Sequence, residues 1–87
     1  MHVRFTGRVQ GVGFRYTVCR IAEDFNVAGF VRNLWDGDVE LVAEGVEAVL
    51  SDFLHDIRNS ELKRYITQDR MFWETATGEF VRFGVSF

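Results

Sequence analysis

Residues Gly7 to Arg15, reading Gly-Arg-Val-Gln-Gly-Val-Gly-Phe-Arg, constrain this chain more than any other stretch. Upstream, Val3, Phe5 and Gly7 alternate with His2, Arg4, Thr6 and Arg8, the period of a half-buried strand with a polar outer face. Downstream, Val18, Ile21, Ala22 and Phe25 recur at helical spacing and predict a helix from about Arg15 to Phe25. The segment between the two periods carries glycines at 7, 11 and 13, and ends on an arginine where the helix should begin.

That arrangement suits an anion cradle. Glycine lets successive backbone N–H groups turn toward one centre, a helix start adds unpaired N–H groups and partial positive charge, and a guanidinium can grip a phosphate through two bonds. An arginine in a first helical turn opposes the macrodipole, so its placement suits a bound anion. Two nucleotide motifs are excluded: the only lysine is Lys63, so no Walker loop exists, and Tyr16 stands where a Rossmann fingerprint needs its third glycine. From the loop alone, a simple turn serves the sequence equally well.

At 87 residues, 47% hydrophobic and 15% aromatic, the chain is expected to form one domain over residues 1–87. A net charge of -3 argues against general nucleic-acid binding. The lone Cys19 excludes an internal disulfide, and no Cys/His cluster has zinc-ligand spacing. No leader pattern and no run of about 18 apolar residues are present, so neither a signal peptide nor a membrane span is expected. These features predict a cytoplasmic protein, and a monomer is expected.

Beyond the first helix, Gly29–Leu34 and Asp38–Glu44 read as strands around Asp36-Gly37. A two-residue loop would pair Arg32 with Leu41, whereas a three-residue loop with Gly37 left-handed pairs Arg32 with Glu40. The second register is preferred, and it turns Val31, Asn33, Val39, Leu41 and Ala43 inward. Val46, Val49, Leu50, Phe53, Leu54 and Ile57 then mark a second helix, with Glu44 and Glu47 near its start and His55 and Arg58 near its end suiting the dipole. A strand with poor alternation follows from about Lys63 to Trp73. Glu74–Gly78 reads as a polar turn, and Val81, Phe83, Val85 and Phe87 alternate as a last strand.

The order is βαββαβ, predicting an α+β, ferredoxin-like two-layer sandwich with an antiparallel sheet and two helices on one face. A right-handed crossover makes the first two strands parallel, with their C-terminal ends at the same end of the sheet. Arg15 and Asn33 are therefore expected to converge. An anion clamp beside a neutral amide, without a nearby histidine or cysteine nucleophile, limits the chemistry. Asn33 can orient a water or polarise a carbonyl through hydrogen bonds. A phosphate ester would need its leaving alkoxide protonated, but an acyl phosphate already leaves as a stable carboxylate.

Two separated segments, residues 7–15 and Gly-Phe-Val-Arg-Asn-Leu-Trp-Asp-Gly-Asp-Val-Glu at 29–40, closely resemble the signature segments of acylphosphatases. The resemblance implies hydrolysis of a small-molecule acyl phosphate to carboxylate and inorganic phosphate, without cofactor or metal; from charge and hydropathy, neither nucleic acid nor membrane is expected as partner. It implies that Arg15 binds the phosphate, that Asn33 orients the water, and that the amides of Gly11, Val12, Gly13 and Phe14 form the cradle. The departures are Asn59-Ser60-Glu61, in place of a common Gly-Pro turn, and Trp35, where many relatives carry a smaller residue or proline.

Other residues read as structural. Cys19 is expected to pack, His2 to end a strand, and His55, Glu23, Asp24, Asp52 and Asp56 to lie on solvated surfaces. Phe72 and Trp73 serve core or edge packing, with the rim of a substrate pocket as the alternative. Arg4, Arg8, Arg32 and Arg82 are expected on the open sheet face, paired with Glu40 and its neighbours. Two rival functions use the same fold, an RNA-binding module and a carbamoyl-phosphate-handling module of the kind found in hydrogenase maturation proteins. No RNA-binding aromatic motif appears, and Tyr16 stands where the latter tend to have proline.

Overall fold

A computed structural model describes residues 1–87. The elements are β1 (His2–Gly7), α1 (Phe14–Ala22), β2 (Ala28–Asn33), β3 (Val39–Glu44), α2 (Glu47–Arg58), β4 (Ile66–Phe72) and β5 (Phe83–Val85), with a 3₁₀ turn at Glu61–Arg64. They form one sheet in the order β4-β1-β3-β2-β5. Both β1 and β2 run antiparallel to β3, so they are parallel to each other, as the crossover rule requires. The sheet is not wholly antiparallel, however. β5 adds a parallel edge beside β2, making it five-stranded and mixed.

The helices cover one face. Phe14, Val18 and Ala22 of α1 and Leu50, Phe53, Leu54 and Ile57 of α2 join Val3, Phe5, Val31, Val39, Leu41 and Ala43 of the sheet in a single core. Each large side chain buried this way stabilises the fold by about 1.5–3 kcal/mol. Phe53 is the centre of the aromatic packing, lying 5.7 Å from Phe25 and 5.6 Å from Phe83 between ring centroids. α1 ends at Ala22 rather than Phe25, because the N–H groups of Asp24 and Phe25 bond three residues back, to Ile21 and Ala22. That tightening swings Phe25 onto Phe53.

The hairpin follows the three-residue loop. Arg32 pairs with Glu40 and Asn33 with Val39, Gly37 has φ 100°, and the Leu34 N–H bonds the Asp38 carbonyl at 2.8 Å. Trp35 sits at the tip, 99% exposed, and leaves the register undisturbed. At the other departure, the Ser60 hydroxyl donates to the Ile57 carbonyl at 2.7 Å and accepts from the Leu62 N–H at 3.1 Å. It caps the 3₁₀ turn and helps bury Leu62. β4 begins at Ile66, and its poor alternation has a cause. Asp69 is aligned with buried Phe5 on the helix side, and Arg58 from the last turn of α2 meets it through two hydrogen bonds of 2.6 and 3.0 Å.

The C-terminal segment departs most from expectation. Residues 73–82 form a strap across the open sheet face rather than a short turn. The Glu44 carboxylate accepts from the N–H and hydroxyl of Thr77 and from the Gly78 N–H at 2.7–3.1 Å, and Phe80 packs on Phe30 at 5.7 Å. β5 is only three residues long, and Val81 is 93% exposed although it fits the alternation. The open face also carries an ion-paired cluster. Arg4 bonds Asp38 at 2.6 Å and meets Asp36, Arg32 bonds Glu40 at 2.6 Å, and His2 lies 2.9 Å from both Glu40 and Glu74. Arg8 and Arg82 make no ion pair, contrary to expectation.

Burial pushes the Glu40 carboxyl up, but the hydrogen bonds from Arg32 and His2 outweigh it and leave the group below its ordinary value. A lowered folded-state value means a stabilisation fully present above about pH 4.3, the usual glutamate value, and lost as pH falls through the lowered one. Glu40→Gln is therefore expected to lower stability at pH 7 and to flatten the loss between about pH 5 and 3. Urea denaturation across that range checks it, and an unchanged acid limb would contradict it.

Candidate active site

The site is built around the loop between β1 and α1. Gly11 and Gly13 have φ of 77° and 75°, a left-handed geometry that side chains avoid. Gly13 is also the N-cap of α1, so the helix cannot extend backward into the loop. As a result, no backbone N–H from Gly11 through Tyr16 finds an acceptor within the protein. No acidic side chain lies in the first turn of α1 to occupy that end. Consecutive free N–H groups at a helix start make a concave, positively polarised surface for an anion.

The loop is held by its apolar residues. Val9 and Phe14 are buried, and Phe14 packs on Phe5 with ring centroids 5.1 Å apart. A cavity of about 380 Å³ opens beside the loop, lined by Gly11, Gly13, Phe14, Arg15 and Asn33. The expected convergence of Arg15 and Asn33 is therefore observed. Val12 alone of the expected cradle residues does not line the cavity, because its side chain is half-buried against the core.

Arg15 makes no ion pair with any carboxylate, and its guanidinium lies over the Phe87 ring, 5.4 Å from the centroid. The Asn33 side chain makes no hydrogen bond within the protein. The cavity thus presents a free cation, free backbone donors and a free amide. No group of three or more His, Cys, Asp or Glu side chains is arranged to hold a metal ion.

Val9, Tyr16, Cys19, Val85 and Phe87 also line the cavity, and none is among the site residues the sequence points to. Cys19 follows Arg15 by one helical turn, a spacing that places the two on one face and could have marked it. Burial, with Glu23 adding to it, pushes its thiol up, which disfavours the nucleophilic thiolate. Val85 and Phe87 reach the site because β5 pairs with β2 in parallel, which no local pattern signals. Phe72 and Trp73 do not border this cavity. Trp73 instead borders a separate cleft with Met1, Glu44 and Leu50.

The acylphosphatase sequence profile matches residues 1–85. The chain belongs to the acylphosphatase family. An acylphosphatase of Paenarthrobacter aurescens is 42% identical over 82 residues, 94% of this chain and 87% of that one. Two other relatives of the same name align over only 64% and 60% of their own length. The acylphosphatase crystal structure from Bacillus subtilis superposes with a TM-score of 0.89 at 35% identity, covering 99% of this chain and 96% of that one. The fold also matches a segment of T. kodakarensis HypF, with a TM-score of 0.84, 32% identity and 99% of this chain covered against 11% of that one.

A methyl group added at Gly13 would meet nothing within 4 Å, so Gly13→Ala tests the backbone geometry rather than a clash. The variant is expected to fold, to lose about 1–2 kcal/mol for a left-handed alanine, and to bind inorganic phosphate more weakly. Denaturation and phosphate titration check the two parts, and undiminished phosphate binding would contradict the cradle.

Proposed function

We propose that the protein hydrolyses acyl phosphates to a carboxylate and inorganic phosphate, without a cofactor. The observation that supports this most is the run of unpaired N–H groups from Gly11 through Tyr16, all of whose residues but Val12 line one cavity with the unpaired Arg15 side chain and the free amide of Asn33. In this reading the loop amides and Arg15 hold the phosphoryl oxygens and balance their charge as it redistributes. Asn33 holds a water for in-line attack on phosphorus. The water oxygen bonds to phosphorus, the bond from phosphorus to the acyl oxygen breaks, and the carboxylate leaves with that electron pair. A phosphoryl oxygen of the substrate accepts the proton of the water. The apolar wall of Val9, Phe14, Val85 and Phe87 suits the organic part of the acyl group.

We read the protein further as a cytoplasmic monomer acting on a small molecule, with neither nucleic acid nor membrane as partner. No helix is long and apolar enough to cross a membrane. The central strands β1 and β3 present His2, Arg4 and Glu40 on the open face, engaged in ion pairs, where an RNA-binding sheet would need stacking aromatics. The match to a segment of a much longer chain keeps a second reading in view, that of a carbamoyl-phosphate-handling module. Turnover of carbamoyl phosphate against acetyl phosphate separates the two.

Benzoyl phosphate hydrolysis tests the roles. Arg15→Ala is expected to abolish phosphate binding first, and Asn33→Ala to lower kcat by roughly 10²–10³, as loss of one preorganised donor does. Full activity in either variant would overturn the assignment.

A further inference from the structure

We propose that Gln10 is a positioning residue, which ties the phosphate loop to the base of the β2–β3 hairpin and so sets Asn33 at its working distance from the cradle. The inference rests on the proposed hydrolysis and adds a residue to it. The Gln10 side chain is half-buried, and its Nε2 donates to the Leu34 carbonyl at 2.6 Å and to the Asp38 carbonyl at 2.9 Å. Both hydrogens of one amide are therefore spent on the two residues that close the hairpin, and Leu34 is bonded directly to Asn33.

The hairpin leaves room for this. In an antiparallel ladder the Asp38 N–H would bond the Leu34 carbonyl, returning the 2.8 Å bond that the Leu34 N–H makes to Asp38. Here the Asp38 N–H turns instead to the Asp36 carboxylate at 3.1 Å. The Leu34 carbonyl also accepts from the Gly37 N–H at 3.2 Å, so the Gln10 amide takes the second acceptor site of each of the two carbonyls at the mouth of the loop.

Nothing else of this kind holds the cradle. Arg8 bonds the Tyr65 carbonyl through its N–H at 2.9 Å, and the next hydrogen bond along the chain joins Thr17 to Gly13 within the first turn of α1. Between them the two bonds from Gln10 are the only hydrogen bonds linking the loop to the rest of the protein. Buried Val9 and Phe14 fix the depth of the loop, but apolar contacts are non-directional and do not fix its distance from the hairpin. An asparagine would fall one methylene short, and a glutamate has no hydrogen to donate when ionised.

The test is a double-mutant cycle with Gln10→Met, which keeps the side-chain length without the donors, and Asn33→Ala, followed by benzoyl phosphate turnover and competitive inhibition by inorganic phosphate. Gln10→Met is expected to lower kcat by about ten- to a hundredfold, the scale of a misplacement near 1 Å. Its phosphate inhibition constant should stay within about twofold, and in the Asn33→Ala background it should lower kcat no further. Gln10→Asn, which retains the amide, should match Gln10→Met, and urea denaturation identifies either variant that fails to fold, the other then carrying the cycle. Unchanged kcat in the folded Gln10 variants, an equal loss in both backgrounds, or phosphate binding weakened as much as turnover would overturn the positioning role. Full turnover in Asn33→Ala would overturn the proposed function of the site itself, and the role of Gln10 with it.

Discussion

The molecule depends on a stretch of backbone that keeps its hydrogen-bonding capacity unspent. Buried N–H groups are nearly always paired, because an unmade bond costs about 1–3 kcal/mol. From Gly11 through Tyr16 no such pairing occurs, and Gly11 and Gly13 lie exposed where water or an anion can serve the donors. The loop stays in this state for two reasons. Left-handed glycines stop α1 from winding backward over it, and buried Val9 and Phe14 anchor it to the core. The loop's N–H groups thus stay unpaired within the protein while its apolar side chains hold it to the fold.

The two sheet faces divide the work. On the helix side, β1 and β2 deliver the cradle and Asn33 to one end, and β5 brings Val85 and Phe87 alongside. The open side is occupied by ion pairs among His2, Arg4, Arg32, Asp38 and Glu40 and by the strap of residues 73–82. Individually such partly exposed pairs contribute little energy. Their consequence is that Arg4 and Arg32 are engaged, while Arg15 has no carboxylate partner.

Much of this was legible in the sequence because it is written in short-range patterns. The parity of Gly29–Glu44 selects the three-residue hairpin loop, and with it the inward direction of Asn33, since one residue of slip would turn every side chain over. The crossover rule then carries Asn33 to the end of the sheet where Arg15 lies. What escaped depends on contacts distant in sequence. Asp69 breaks the alternation of β4 because Arg58 meets it from α2, and Val81 and Phe87 alternate yet are 93% and 99% exposed because β5 is a short parallel edge. Phe87 and Val85 at the cavity, and Gln10 at the mouth of the hairpin, could be placed only once the strand order was known.

In the proposed reading the free amides of the loop are a phosphate site. Amide chemical shifts recorded by ¹H–¹⁵N NMR during titration with inorganic phosphate test it most directly. Saturable shifts are expected from Gly11 through Tyr16 and at the Asn33 side chain, with little change in the strap or at the hairpin tip. Shifts absent from the loop at saturating phosphate, or concentrated elsewhere on the surface, would contradict it.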